Sequence, residues 1–220
     1  MALTVVITGA SRGIGKALAQ HFAAAGYELL LSARNADGVE ATVKALREQF
    51  PSIAIHGKAA DLSVAEQAIE LGRWCLSFSA PDIIINNAGF FQPGSLADEP
   101  MGQLENQIQV NLGSAYHLTR TLLPSMLQRG TGHIFNICSI ASLDAYEHGG
   151  AYSISKFALL GFSKNLRLEL KDKLTFFVFF SVMKVLFIRL LLREPLTIVS
   201  WIVSCYENEL FLLLFDMIES

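Results

Sequence analysis

The chain has 220 residues, 17 Lys and Arg against 20 Asp and Glu, and a formal net charge of −3. The length suits one α/β domain with a substantial core, and the slightly acidic balance excludes a polybasic binder of nucleic acid or anionic membranes. Cys75, Cys138 and Cys205 are dispersed, form neither a CxxC pair nor a metal spacing, and read as reduced thiols of a cytoplasmic protein.

The opening MALTVVITGA has no basic leader and reads as a first strand over residues 3–7, not as a signal peptide. Ile14, Leu18 and Phe22 mark a helix from Gly13 to Ala25, stopped by Gly26. A second strand is expected in YELLLSA (27–33), then a helix over 37–49 with Val39, Val43 and Leu46 on one face. A third strand in IAIHGKA (53–59) precedes a helix over 63–78. DIIINNAG (82–89) is a nearly continuous apolar run, the pattern of a strand buried on both faces of a parallel sheet. A helix over 101–129, a strand in GHIFNICS (132–139) and a long helix over 151–171 follow. Strands alternate with helices throughout, which predicts an α/β fold of three layers: a doubly wound, Rossmann-like parallel sheet with right-handed crossovers.

The first strand runs into TGASRGIG, where Gly9, Gly13 and Gly15 are spaced G-x3-G-x-G between a strand and a helix. Glycines there let backbone approach a pyrophosphate, and the helix N-terminus offers unpaired N–H groups and partial positive charge. Ser11, Arg12, Ile14 and the three glycines are therefore candidate cofactor contacts. After the second strand, an acid would bind the adenosine ribose 2′-hydroxyl and repel a 2′-phosphate. Ala33 occupies that place and Arg34 follows it, with Arg12 in the glycine loop. Two guanidiniums and no carboxylate favour NADP(H) over NAD(H). Asp61, followed by Leu62, is placed to meet the adenine; its alternative role is a helix N-cap with Leu62 and Ser63.

Tyr152 and Lys156 in YSISK are an i,i+4 pair at the start of an apolar helix, so they share one face. An ammonium near a phenol favours the phenolate and lowers its pKa, which makes the pair a tunable proton donor and acceptor. Ser139 ends the strand HIFNICS, at the edge where ligands bind in open α/β sheets, and Ser142 competes for the same role. Asn111 sits inside an apolar helical stretch that disfavours it, which suggests a functional or water-binding role.

TGASRGIG, NNAG at Asn86 to Gly89, Asn111, Ser139 and YSISK follow one another in the order and spacing of a known family. Over residues 3–172 the sequence resembles a classical short-chain dehydrogenase/reductase. The resemblance implies a tetrad of Asn111, Ser139, Tyr152 and Lys156. Tyr152 would be the general acid/base, Ser139 would polarise the carbonyl, and Lys156 would bind the nicotinamide ribose and lower the Tyr152 pKa. Asn111 would hold a water in a proton relay, and Asn87, Ala88 and Gly89 would border the cofactor. It also implies a homodimer or homotetramer built partly through the helices of Asn111 and Tyr152.

Residues 1–173 thus read as a dinucleotide-binding and catalytic domain, and residues 174–220 as an atypical apolar segment of the same domain. LTFFVFFSV (174–182) suits a sixth strand, but no Pro-Gly turn follows it and no glycine occurs after Gly161. Three readings of the tail stand: an end foreign to the family, a divergent substrate-binding helix pair, or a membrane segment over residues 174–192. That last stretch approaches the ~20 apolar residues a span needs, but Lys184 and Arg189 interrupt it, so loose attachment suits it better than a span. The expected activity is hydride transfer between NADP(H) and a small, apolar carbonyl or alcohol substrate. The alternative is a catalytically impaired nucleotide-binding or interaction protein.

Overall fold

A computed structural model describes residues 2–170 and the backbone of residues 175–181. Six strands form one sheet: β1 (Thr4–Thr8), β2 (Glu28–Ala33), β3 (Ile55–Ala59), β4 (Ile83–Asn86), β5 (His133–Ser139) and β6 (Thr175–Ser181). All five pairings are parallel, in the order β3-β2-β1-β4-β5-β6. The chain winds outward from β1 to β3 and then returns to start again at β4. The order therefore reverses between β1 and β4, where their C-terminal ends leave a crevice.

The helices are α1 (Gly13–Ala24), α2 (Ala36–Gln49), α3 (Ala65–Leu76), α4 (Gln103–Ile108), α5 (Ser114–Arg129) and α6 (Gly150–Leu170). Strand side chains alternate between faces. Val6, Leu30, Ile84 and Ile134 form one core with Leu71 and Cys75 of α3, Leu118, Leu122 and Met126 of α5, and Leu166 and Leu170 of α6. Val5, Ile7, Leu29 and Leu31, the alternate residues, are equally buried, and α1 and α2 pack on the sheet with Phe22, Val39, Val43 and Leu46 buried. α2 approaches β3 so closely that a Cβ at Gly57 would lie 2.7 Å from Val43 Cγ2. The expected three-layer, doubly wound architecture is thus present.

Two elements differ from expectation. The helix expected over 101–129 is divided by a π turn, Gln109–Gly113, which contains Asn111. The Asn111 side chain is held by Phe90 outside the helix, and one extra residue in the turn accommodates that tether. The helix expected from residue 63 begins at Ala65, because Asp61 closes a turn ahead of it: its Oδ1 accepts from the Ser63 N–H at 3.0 Å and the Ser63 hydroxyl at 2.7 Å. The N-cap position is Val64, so Asp61 is not the cap.

The sixth strand expected in 174–182 is observed as β6, in parallel register from His133↔Thr175 to Ser139↔Ser181. Of the 174–192 stretch given a membrane reading, residues 175–181 are the strand β6; the rest of the tail, on which the three readings turn, falls outside the described residues. Among the described residues no helix is long and apolar enough to cross a membrane.

Candidate active site

The glycine loop is folded onto the NNAG turn at the β1–β4 reversal. Thr8 Oγ1 accepts from the backbone N–H groups of Asn87 at 3.0 Å and Ala88 at 2.9 Å. In return, Asn87 Nδ2 donates to the Thr8 and Gly9 carbonyls at 2.9 and 3.2 Å. Gly9 and Gly13 have φ of +65° and +57°, where side chains are strained. Gly15 has another reason to be glycine: a Cβ there would collide with the Gly9 carbonyl oxygen and lie 2.6 Å from Asn87 Nδ2.

This cradle suits an anionic group. Arg12 is the N-cap of α1 and makes no side-chain capping bond, and the first turn carries no acid, so the α1 dipole is not offset by its own first turn. Space around Gly13 is open to 4 Å. Arg12 and Arg34 are exposed, and their side chains form no hydrogen bond or salt bridge among the described residues. Arg34 lies close enough to Asp61 to help hold its carboxyl below the usual range, although the Ser63 hydrogen bond is the larger cause. The donor set therefore fits a dinucleotide pyrophosphate at the loop and a further phosphate near the arginines. Leu62 is 6% exposed and its side chain belongs to the core, so only its backbone is available to a ligand.

At the other lip, three motifs converge on Gly89. A Cβ there would lie 3.0 Å from Asn111 Oδ1 and 3.7 Å from Lys156 Nζ. Asn111 is 1% exposed; its Oδ1 accepts from the Phe90 N–H at 2.9 Å, and its Nδ2 donates to the Phe90 carbonyl at 3.2 Å and to Ser155 Oγ at 2.8 Å. The Asn111 carboxamide is thus engaged with protein groups.

Ser139 and Ser142 are sorted by their bonds. Ser142 is fully buried, and its Oγ accepts from the Ser139 N–H at 3.2 Å. Ser139 Oγ accepts from the Ala141 N–H at 3.2 Å, at the start of a short 3-10 turn, Ile140–Ser142, and lies near enough to the Tyr152 phenol to oppose the rise in its pKa. Ser139 is thus the serine that meets Tyr152.

Lys156 is 7% exposed; its Nζ donates to the Ile137 carbonyl at 2.9 Å and lies 5.9 Å from the Tyr152 ring centroid. Burial pulls its pKa down to about 8. Burial raises the pKa of Tyr152, the Ser139 hydroxyl opposes that, and the Cys138 thiol adds to it. This corrects the expectation of a Tyr152 pKa lowered by Lys156. The ammonium is bonded to a backbone oxygen and lies 5.9 Å from the ring centroid, so exclusion of water dominates at the phenol.

A phenol, a serine hydroxyl and a buried amine stand together at the C-terminal edge of a parallel sheet, beside a glycine cradle. The family model for short chain dehydrogenases matches residues 3–178. The chain belongs to the short-chain dehydrogenase family. A D-beta-hydroxybutyrate dehydrogenase of Cupriavidus necator is 34% identical over 168 residues, covering 76% of this chain and 64% of the relative. An alcohol dehydrogenase from the archaeon Thermococcus sibiricus, solved with 5-hydroxy-NADP, superposes with a TM-score of 0.76 at 30% identity over 81% of this chain and 75% of that one. A short-chain dehydrogenase/reductase from Burkholderia phymatum, solved with NAD, gives 0.77 at 27% identity over 81% and 65%. The chain spans only 64%, 60% and 59% of the first three curated relatives it matches.

Several residues that build the site in this family member were not singled out from the sequence. Thr8 was legible only as the start of the glycine loop, and its double acceptance from the NNAG turn needs β1 beside β4. Asn86 is buried and donates to Thr119 Oγ1 at 3.0 Å and to Asn136 Oδ1 at 2.8 Å; Asn136 in turn donates to Ser163 Oγ at 2.9 Å. This polar chain ties α5, β4, β5 and α6 together beneath the site. Phe91 packs edge-on against Tyr152, with ring centroids 4.8 Å apart at 79°. The local pattern of FFQPG (90–94) is apolar but does not tell which ring meets the phenol.

Proposed function

We propose that this chain is an oxidoreductase that transfers a hydride between NADP(H) and the carbonyl or alcohol group of a small apolar substrate, with Tyr152 as general acid/base. The observation that carries the reading is the placement of Tyr152 beside Ser139 and buried Lys156, at the lip of the glycine cradle. Bound cofactor supplies the hydride. The remaining work belongs to the chain. The backbone of Gly13, Ile14 and Gly15 and the side chain of Ser11 hold the pyrophosphate, and Asn87, Ala88 and Gly89 wall the cofactor. Lys156 binds the nicotinamide ribose.

In reduction, the Ser139 hydroxyl donates to the substrate carbonyl oxygen and Tyr152 gives that oxygen its proton. The phenol is well suited to this direction, because burial keeps it protonated. The phenolate is then reprotonated. In oxidation the steps reverse, and Ser139 lowers the cost of forming the phenolate.

Preference for NADP(H) is supported by Ala33 in the acid position and by exposed Arg12 and Arg34. An apolar substrate is supported by Phe91 on the Tyr152 ring and by Tyr146 and Ile140, which are 44% and 49% exposed. A homodimer or homotetramer is supported by exposed Tyr116 on α5 and Ile154 and Phe157 on α6.

The test is a fluorescence titration of the chain with NADPH and NADH, followed by ketone-dependent oxidation of the preferred cofactor in wild type and Tyr152→Phe. The variant should bind cofactor within about twofold of wild type and lose at least about 100-fold in turnover. Undiminished turnover would remove Tyr152 from the chemistry. No binding of either cofactor would end the oxidoreductase reading.

A further inference from the structure

Residues 90–100 lead from the NNAG turn toward α4 and are bonded twice to the segment that opens α6. The Gly94 N–H donates to the His148 carbonyl at 3.1 Å, and the Ala151 N–H donates to Glu99 Oε1 at 2.8 Å. His148 is, among the described residues, the one non-glycine residue with positive φ, at 60°. The first turn of α6 carries no acid of its own, so the carboxylate at its N-terminus is supplied by a residue 52 positions earlier. A carboxylate there satisfies an orphan donor and complements the helix dipole.

Two glycines make room for it. A Cβ at Gly94 would collide with Glu99 Cγ, and one at Gly150 with Glu99 Oε1. The Glu99 N–H is itself fixed, donating to the Ser95 carbonyl at 2.9 Å. The residue capped by Glu99 immediately precedes Tyr152, and the loop that carries Glu99 also carries Phe91, whose ring rests on Tyr152.

We propose that Glu99 is a positioning residue: it latches loop 90–100 onto the N-terminus of α6 and so holds Phe91 against Tyr152 as a fixed aromatic wall of the substrate pocket. The pocket then selects carbonyl compounds with a flat apolar group beside the reacting carbon, aryl ketones over small aliphatic ones; this second half rests on the oxidoreductase reading.

The test compares wild type, Glu99→Met, which keeps length without an acceptor, and Glu99→Gln, which keeps an acceptor oxygen. Hydrogen–deuterium exchange of the full chain reads the latch without reference to activity. In Glu99→Met, peptides covering 90–100 and 145–156 should both exchange about tenfold faster, and in Glu99→Gln within about threefold of wild type. Gly94→Ala should reproduce the Glu99→Met pattern, since it expels the carboxylate. Unchanged exchange at 145–156 in Glu99→Met would overturn the latch. In kinetics, Glu99→Met should raise KM for an aryl ketone about tenfold with NADPH affinity and the KM of a small aliphatic ketone held. Equal increases for both ketones would overturn the selective wall. Faster exchange in a chain that reduces no ketone at all would uphold the latch and remove the oxidoreductase reading.

Discussion

Asn111 and Phe90 exchange two hydrogen bonds: the Asn111 carboxamide accepts from the Phe90 N–H at 2.9 Å and donates to the Phe90 carbonyl at 3.2 Å. The bond to Ser155 at 2.8 Å extends the tether to α6. One buried side chain thus joins the segment after β4, the π turn and the Tyr152 helix. Asn111→Ala leaves a backbone donor, a backbone acceptor and a serine without that partner. It should cost about 2–4 kcal/mol in urea unfolding, and any loss of turnover should accompany this loss of stability. Wild-type stability in the variant would show that Asn111 is not a structural tie.

The glycine loop separates two kinds of glycine. Gly15→Ala forces a Cβ into the Gly9 carbonyl and Asn87 Nδ2. The overlap should cost about 1–3 kcal/mol and loosen the Asn87 clamp, so cofactor affinity should fall with stability. Gly13→Ala meets no neighbour within 4 Å and carries only the strain of φ +57°, about 1–2 kcal/mol. Denaturation and cofactor titration of the two variants check the contrast; equal effects on stability and affinity would contradict it.

Arg34 is exposed at the end of β2. If it binds a 2′-phosphate bidentately, Arg34→Asp should weaken NADPH about 10- to 100-fold while changing NADH less than about threefold. Parallel titrations decide the point. Equal weakening of both cofactors would remove the 2′-phosphate from Arg34.

Lys156 makes the stability of the fold depend on pH. Its pKa is pulled by burial from 10.5 to about 8. Below pH 8 the folded and unfolded chains both carry the charge, and the fold bears the full cost of burying it. Between the two values the unfolded chain keeps the proton and the folded chain releases it, so this group adds stability as pH rises. Tyr152 and Cys75, whose pKa values are raised, give the opposite slope in wild type and variant alike; Cys138, also raised, is partly held down by Lys156, so in the variant its slope steepens and adds to the change in the gap. Lys156→Met should therefore be most favoured over wild type below pH 8, and its advantage should shrink by about 3 kcal/mol toward pH 10.5. Urea midpoints at pH 7, 8, 9 and 10 measure the gap; a constant gap would show that the buried ammonium is not desolvated.

The order of elements and most of the site followed from local pattern. Alternating apolar runs and helical periodicities gave the parallel α/β class, and Gly9, Gly13, Gly15, Ser139, Tyr152 and Lys156 stood out as residue types at fixed spacing. Each of those signals lies within a few residues of chain, where backbone geometry alone relates one side chain to the next. Interactions across the sheet could not be read this way. Only the pairing of β1 with β4 brought Thr8 to the NNAG turn, and only the packing of loop 90–100 on α6 brought Glu99 to Ala151 and Phe91 to Tyr152. The choice of Ser139 over Ser142 and the direction of the Tyr152 pKa were likewise tertiary facts. Burial and long-range partners set proton affinity, and a sequence spacing of four residues reports neither.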